Sequence, residues 1–247
     1  MRALLCLVVV GCTTHQSGLV PRPRTPLGYD GQPLAAPVVI AAHGETTAVA
    51  AQPTNDRANG SVVARNHLGA TARFRVREEL ELAVTFEAAL GGGAVSAGPG
   101  DPADFAHAMA WGPGLALRYS AEMSPGSGWR LGLSADLSFW HIPLAIGSDT
   151  DASLGLTIMP SYRTGPVVIF GGGTLATQIS VPAIDQNTGI DSPTKISFVP
   201  IGHGGVEVEV ASGVTLAATV AITYGAQARD VPLVGVTLGI APALLGR

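Results

Sequence analysis

Charge is scarce in this chain of 247 residues: Asp, Glu, Lys and Arg make up 13%, and Lys195 is the only lysine. That is roughly half the share usual in globular domains. With a net charge of -4 and no basic cluster, a nucleic-acid partner is excluded. Low charge beside plentiful Val, Thr and Ala also excludes a disordered composition. No apolar run reaches the length of a membrane-spanning helix. The two cysteines, Cys6 and Cys12, lie at the start of the chain, so neither a disulfide framework nor a cysteine metal cluster is expected. The six histidines, at 15, 43, 67, 107, 141 and 203, share no metal-ligand spacing. No metal or cofactor is expected. Neither "GGG", at 91–93 or at 171–173, runs into a Gly-Lys-Ser/Thr, so neither is a phosphate loop. A Gly-x-Ser-x-Gly elbow is missing. The nearest acid–histidine grouping, Asp101, Asp104 and His107 in "DPADFAHAM", suits a short loop helix capped by Asp101. On these grounds the chain is expected not to be an enzyme.

What is present begins with a leader. Arg2 precedes the apolar run Ala3 to Val10, which has the length of a secretory signal core rather than of a membrane span. The run closes in "VVVGCTTHQ". Val9, Val10, Gly11 and Cys12 resemble the lipobox of bacterial lipoproteins. The resemblance implies cleavage before Cys12 and acylation of its thiol and new amino group. Three acyl chains would make a firm anchor, since one alone holds only marginally. In that family an aspartate after the cysteine often retains the protein in the inner membrane. Thr13 stands there instead, which implies the outer membrane. Residues 1–11 are thus expected as signal peptide. Residues 12–35, with prolines at 21, 23, 26 and 33, read as a lipidated, extended tether.

Residues 36–247 form the body, and its hydrophobic period is two. In "ELELAVTFEAAL" Leu80, Leu82, Val84 and Phe86 share one face, and Glu79, Glu81, Thr85 and Glu87 the other. In "WRLGLSADLSFW" Leu131, Leu133, Ala135, Leu137 and Phe139 oppose Arg130, Ser134, Asp136 and Ser138. "GGVEVEV" and "GVTLAATVAITY" repeat the pattern. One face is smooth and aliphatic. The other mixes small residues with isolated charges of both signs. That is the pattern of a transmembrane barrel, lipid outside and polar lumen inside. Strands are expected near 36–50, 61–76, 79–90, 110–122, 128–140, 151–162, 165–180, 195–210, 213–225 and 232–243. The connections then alternate, short at 77–78, 123–127, 163–164 and 211–212, and longer elsewhere. Bacterial barrels have short periplasmic turns and longer outer loops, so both termini are expected on the periplasmic side. Trp111, Trp129, Trp140, Tyr162 and Tyr224 lie near strand ends, where interfacial girdles form.

The body resembles the small outer-membrane β-barrels of Gram-negative bacteria, with OmpA-like and porin-like transmembrane domains, over roughly residues 61–243. The fold expected is therefore all-β, an antiparallel transmembrane-type barrel of about 8–10 strands. One departure is the ending "GVTLGIAPALLGR", which has Pro242 and no terminal aromatic. A lipid-tethered soluble barrel or sandwich, binding an apolar ligand or a partner protein, is the alternative.

The candidate site is the set of charges with inward parity: Arg73, Arg75, Glu79, Glu81, Glu87, Arg118, Glu122, Arg130, Asp136, Glu207 and Glu209. Opposite signs on neighbouring strands are placed to pair, and unpaired charge in a narrow lumen is costly. The bland expectation is that they plug and fix the barrel; the sharper one is a polar path for small solutes. Besides Cys12 as lipid anchor, membrane lipid is the one partner expected, with any partner in the cell envelope unspecified. The resulting expectation is an outer-membrane-associated lipoprotein with a structural or weakly pore-forming barrel, its N-terminus in the periplasm.

Overall fold

A computed structural model describes residues 19–20, 36–47, 62–63, 66–90, 109–143, 148–181, 195–223 and 231–244. Ten long strands account for nearly all of them: β1 (Val38–Thr47), β2 (Asn66–Arg77), β3 (Leu80–Leu90), β4 (Met109–Glu122), β5 (Trp129–Pro143), β6 (Ser148–Thr164), β7 (Val167–Val181), β8 (Lys195–Ala211), β9 (Val214–Thr223) and β10 (Val231–Ile240). Each pairs antiparallel with its neighbours in sequence, and β10 returns to β1, so the sheet closes into a barrel. Closure leaves no strand edge, which is what lets a β-structure stand in lipid. No helix among the described residues is long and apolar enough to cross a membrane.

The side-chain alternation runs as the sequence reads. Along β3, Glu81, Ala83, Thr85, Glu87 and Ala89 are buried, and Val84 and Phe86 are exposed. Around the outer wall Ile40, Leu115, Leu133, Leu156, Ile169, Val220 and Val236 are all more than a third exposed. A strand of 11 residues is about 37 Å long, and tilted by about 40° it stands close to 28 Å tall, enough for the apolar band of an outer-membrane barrel.

Connections alternate between two ends. At one end lie the short turns after β2, β4, β6 and β8. Gly165 (φ 57°) opens the two-residue link Gly165–Pro166, where a tight hairpin of this hand requires positive φ. Gly213 (φ 74°) does the same before β9, and its carbonyl accepts the amide of Ala241 at 2.7 Å, tying down the end of β10. Val38 and the 3-10 turn Pro242–Leu244 also lie at this turn end. The opposite, loop end carries the connections 48–65, 91–108, 144–147, 182–194 and 224–230.

Two short segments stand outside the barrel sheet. Leu19–Val20 pairs in parallel with Val62–Val63. Val63 is three residues from Asn66, at the loop end of β2, and Leu19–Val20 touches β4 and β5. Leu19–Val20 therefore lies near the loop end of the sheet, and Val38 at the turn end.

Candidate functional site: the polar lumen

The inward positions of the ten strands make one continuous polar surface. Two of its features depend on glycines. His43 of β1 and Glu87 of β3 are separated by β2, and both are opposite Gly69. A side chain at Gly69 would come within 2.6 Å of both, so glycine opens the space in which His43 Nε2 donates to Glu87 Oε1 at 3.0 Å. On the far wall, a Cβ at Gly172 would lie 2.1 Å from the Ile158 carbonyl oxygen. Glycine there permits close approach of β6 and β7.

Near the turn end, Arg73 Nη2 donates to Glu81 Oε1, and both side chains are buried. Glu81 also stands directly opposite Arg118 in the β3–β4 register. Arg130 Nε donates to Ser120 Oγ at 3.1 Å, and its Nη2 to the Ser120 carbonyl. Hydroxyl pairs hold the middle: Thr71 with Thr85 (2.9 Å), Ser138 with Ser153 (2.6 Å) and Thr157 with Thr174 (2.7 Å), the last within reach of His203. Towards the loop end Gln178 Nε2 donates to Asp151 Oδ2 at 2.9 Å. Trp140 meets His67 edge to face, with ring centroids 5.6 Å apart. Small residues on the intervening strands, Ala89, Ala110 and Gly112, leave space for that contact. An apolar cluster of Val199, Ile201, Ala176, Ala221 and Leu233 covers the opposite wall.

Of the eleven expected lumen charges, Arg73, Glu81, Glu87, Arg118 and Glu207 are buried inside, and Arg130 and Asp136 are half-buried. Arg75, Glu79, Glu122 and Glu209 are exposed at the turn end. Their displacement has a local cause in each hairpin. Arg75 keeps the inward register, opposite Glu81, but stands at the mouth, just before a bulge between Arg75 and Arg77. Glu79 lies in the β2–β3 turn and accepts the Tyr119 hydroxyl at 3.1 Å on the outer wall. Glu122 folds over the β4–β5 turn and accepts the Gly126 amide at 2.7 Å. Glu209 borders a second bulge, at Glu209/Ala211.

Trp140 is a further correction. Instead of standing in an interfacial girdle it is 1% exposed inside the barrel. Trp111 and Trp129 do face outward. Trp129 rests on Tyr162, and Trp111 lies between Phe86 and His141. Sequence reasoning missed His43, His67, Asp151, Gln178 and His203 as lumen residues. Tyr224, the 91–93 glycines and the Asp101, Asp104, His107 group lie outside the described residues, as does Cys12. No group of three or more metal-ligating side chains occurs among the described residues. What this arrangement does chemically is cross-link strands between β1 and β8 through their inner faces.

No protein-family model matches the chain. No curated protein matches it either. Solved structures share the architecture. The N-terminal β-barrel domain of Pseudomonas aeruginosa OprF is 13% identical, with 82% of this chain and 95% of that chain covered and a TM-score of 0.33. Outer membrane phospholipase A from Escherichia coli is 13% identical, covered to 82% and 92%, at 0.34. The Escherichia coli outer membrane protease OmpT is 11% identical, covered to 83% and 91%, at 0.32. At these identities and scores the likeness says nothing of this chain's activity. It does correct one expectation. The lack of a nucleophile motif led to the chain being read as not an enzyme, yet barrels of this class include a phospholipase and a protease. The architecture therefore gives no ground for excluding catalysis. The chain is an antiparallel, closed, ten-stranded β-barrel with an apolar outer wall and a largely polar interior.

Proposed function

We propose that this chain is an outer-membrane protein whose barrel has a structural role in the envelope, with a lumen held shut by its own polar side chains, and that Cys12 anchors it to lipid. One observation carries the reading. The wall exposes Leu, Ile, Val and Phe outward, while arginines, glutamates, histidines and hydroxyls are bonded to one another inside. A soluble barrel has the opposite need, a polar outside. The short turns and the end of β10 would face the periplasm and the long connections the exterior.

Two measurements test it. The full chain inserted in planar bilayers is expected to give no stable discrete conductance, because paired groups block the bore; regular single-channel steps would establish a pore instead. A Cys12→Ser variant should still need detergent for extraction from membranes, since the wall rather than the lipid holds it. Release into buffer without detergent would overturn the membrane reading. Anchoring is read separately, by incorporation of a palmitate analogue into wild type and not into Cys12→Ser.

A further inference from the structure

Strand β8 has an apolar outer face longer than a bilayer core is thick. Every outward position from Ile196 to Val210 is aliphatic, aromatic, proline or glycine. That run is about 46 Å of strand and, tilted by about 40°, about 35 Å tall. The apolar band of an outer-membrane barrel is about 25 Å tall, so at any depth of insertion about 10 Å of the run projects from it. Ile196 and Phe198 are the most exposed large apolar side chains among the described residues, at 63% and 66%. Apolar surface standing beyond the band marks a contact site.

The rest of the wall meets the interface differently. Near the turn end, β2 to β6 carry Phe74, Tyr119, Trp129 and Tyr162 outward. Trp and Tyr suit the level where hydrocarbon gives way to water. At the turn ends of β7 to β10 and β1 the outward residues include Ile169, Val210, Leu216, Ile240 and Ile40. Among the described residues the turn-end girdle is thus a half ring, and its gap is the side on which β8 overruns the band.

The middle of the same run has no side chains. Gly202 and Gly204 pair with Gly173 and Gly171 of β7, which makes a block of four glycines on the outer wall. Inside, the barrel itself imposes glycine: a Cβ at Gly172 or Gly205 would lie 2.1 Å from a carbonyl oxygen of the next strand. Outside it does not, for a Cβ at Gly171 or Gly173 would meet nothing nearer than 3.6 Å. Glycine that internal packing does not require leaves room for a backbone approaching from outside.

We propose that the outer face of β7 and β8 is the contact surface between two copies of this chain, glycine block on glycine block. This rests on the reading of the barrel as an outer-membrane protein. Copies inserted the same way up are related by an axis along the membrane normal, and the same patch then serves on both. Apolar surface projecting from the band on one copy faces the same level of the other. Strands tilted by about 40° cross at about 80°, so two convex walls come closest at one spot. The glycines occupy it, midway along the run, and the larger Phe198 and Val206 fill the space where the walls diverge. Small residues that admit close backbone packing are what joins apolar surfaces within lipid. The outward positions of β7 to β10 carry no charge among the described residues, so the face meets its own copy without repulsion. Four strands at about 4.8 Å by about 35 Å cover at most about 700 Å² per copy, within the about 600–1,000 Å² per partner of stable complexes.

Two measurements on the full chain test this. In the first, Gly173→Cys or Leu133→Cys is placed in a chain with Cys6→Ser and Cys12→Ser, and membranes are oxidised with copper phenanthroline. Gly173→Cys is expected to give a product of twice the chain mass, and Leu133→Cys, on β5, none. In the second, sedimentation equilibrium in detergent is expected to give twice the chain mass for the natural chain and for Ala135→Leu, also on β5. Gly173→Leu, for which the barrel has room, is expected at the single mass, with its fold shown by a heat-dependent shift in gel mobility. A natural chain at the single mass at every concentration, or a folded Gly173→Leu barrel still at twice the mass, overturns the proposal. A Gly173→Cys product with the mass of another protein, or a doubled product from Leu133→Cys instead, does the same. Should Gly173→Leu not fold, the cysteine pair decides. Release of the Cys12→Ser chain into buffer without detergent sinks the membrane reading and the proposal with it, whereas a detergent-requiring monomer sinks the proposal alone.

Discussion

At the scale of single residues, the lumen is held by a few side chains whose partners are fixed. Arg73 and Glu81 are both buried and bonded. Removing one partner strands the other charge in a site without bulk water. Arg73→Ala is therefore expected to cost about 3–5 kcal/mol. Replacing both by apolar residues, Arg73→Met with Glu81→Leu, should cost less than the sum of the two single changes, since the bonded charges leave together. Urea unfolding in lipid vesicles, followed by tryptophan fluorescence, measures each. Additive losses would show that the pair is not coupled. Gly69 makes a second case. A valine there meets the His43 ring and Glu87 Cγ, and should destabilise by about 1–3 kcal/mol through overpacking. The same unfolding assay reads it, and an unchanged midpoint would mean that the His43–Glu87 contact is not formed.

At the scale of elements, the period of two and the alternation of connection lengths carried the strands. Ten were expected and ten close the barrel, because period, turn glycines and apolar faces all act locally along one strand. The ends of elements were less legible. β5 and β6 run on to Pro143 and back from Ser148, past the expected ends at 140 and 151, because each supplies the other's backbone partners in that hairpin. Beyond the last strand pair parity no longer holds: Glu79 lies in the turn, and its carboxylate meets Tyr119 on the outer wall. Trp140 shares parity with Asp136 and Ser138 and was legible as inward. Its nearness to a strand end suggested a girdle instead. The inward histidines could also be read by parity, but a search confined to fixed charges passes over them. The His43–Glu87 contact could not be read, because it crosses an intervening strand and depends on Gly69. Depth along a strand yields its own prediction. Leu133, mid-strand and exposed on the outer wall, should cost about 2–4 kcal/mol as Leu133→Arg if that wall meets lipid. Val210, at the turn end and also exposed, should cost only about 0–1 kcal/mol as Val210→Arg. Refolding into vesicles from urea compares them, and equal costs would argue against a depth-dependent apolar medium.

At the scale of the whole molecule, the account makes one central claim: the aliphatic parity faces lipid and the polar parity faces a closed interior. Wall, lumen pairing, turn side and loop side all follow from it. The most direct test needs no substitution. The full chain is placed in lipid nanodiscs, methyl NMR spectra are assigned, and a lipid bearing a nitroxide on its acyl chain is added. Methyl signals of Leu133, Leu137, Leu154 and Leu156, all exposed on the wall, are predicted to broaden strongly. Those of Ala83, Thr85, Thr157 and Met159, all buried inside, are predicted to persist. Equal broadening of the two sets, or none in either, would contradict the claim and show that this alternation does not mark a membrane wall.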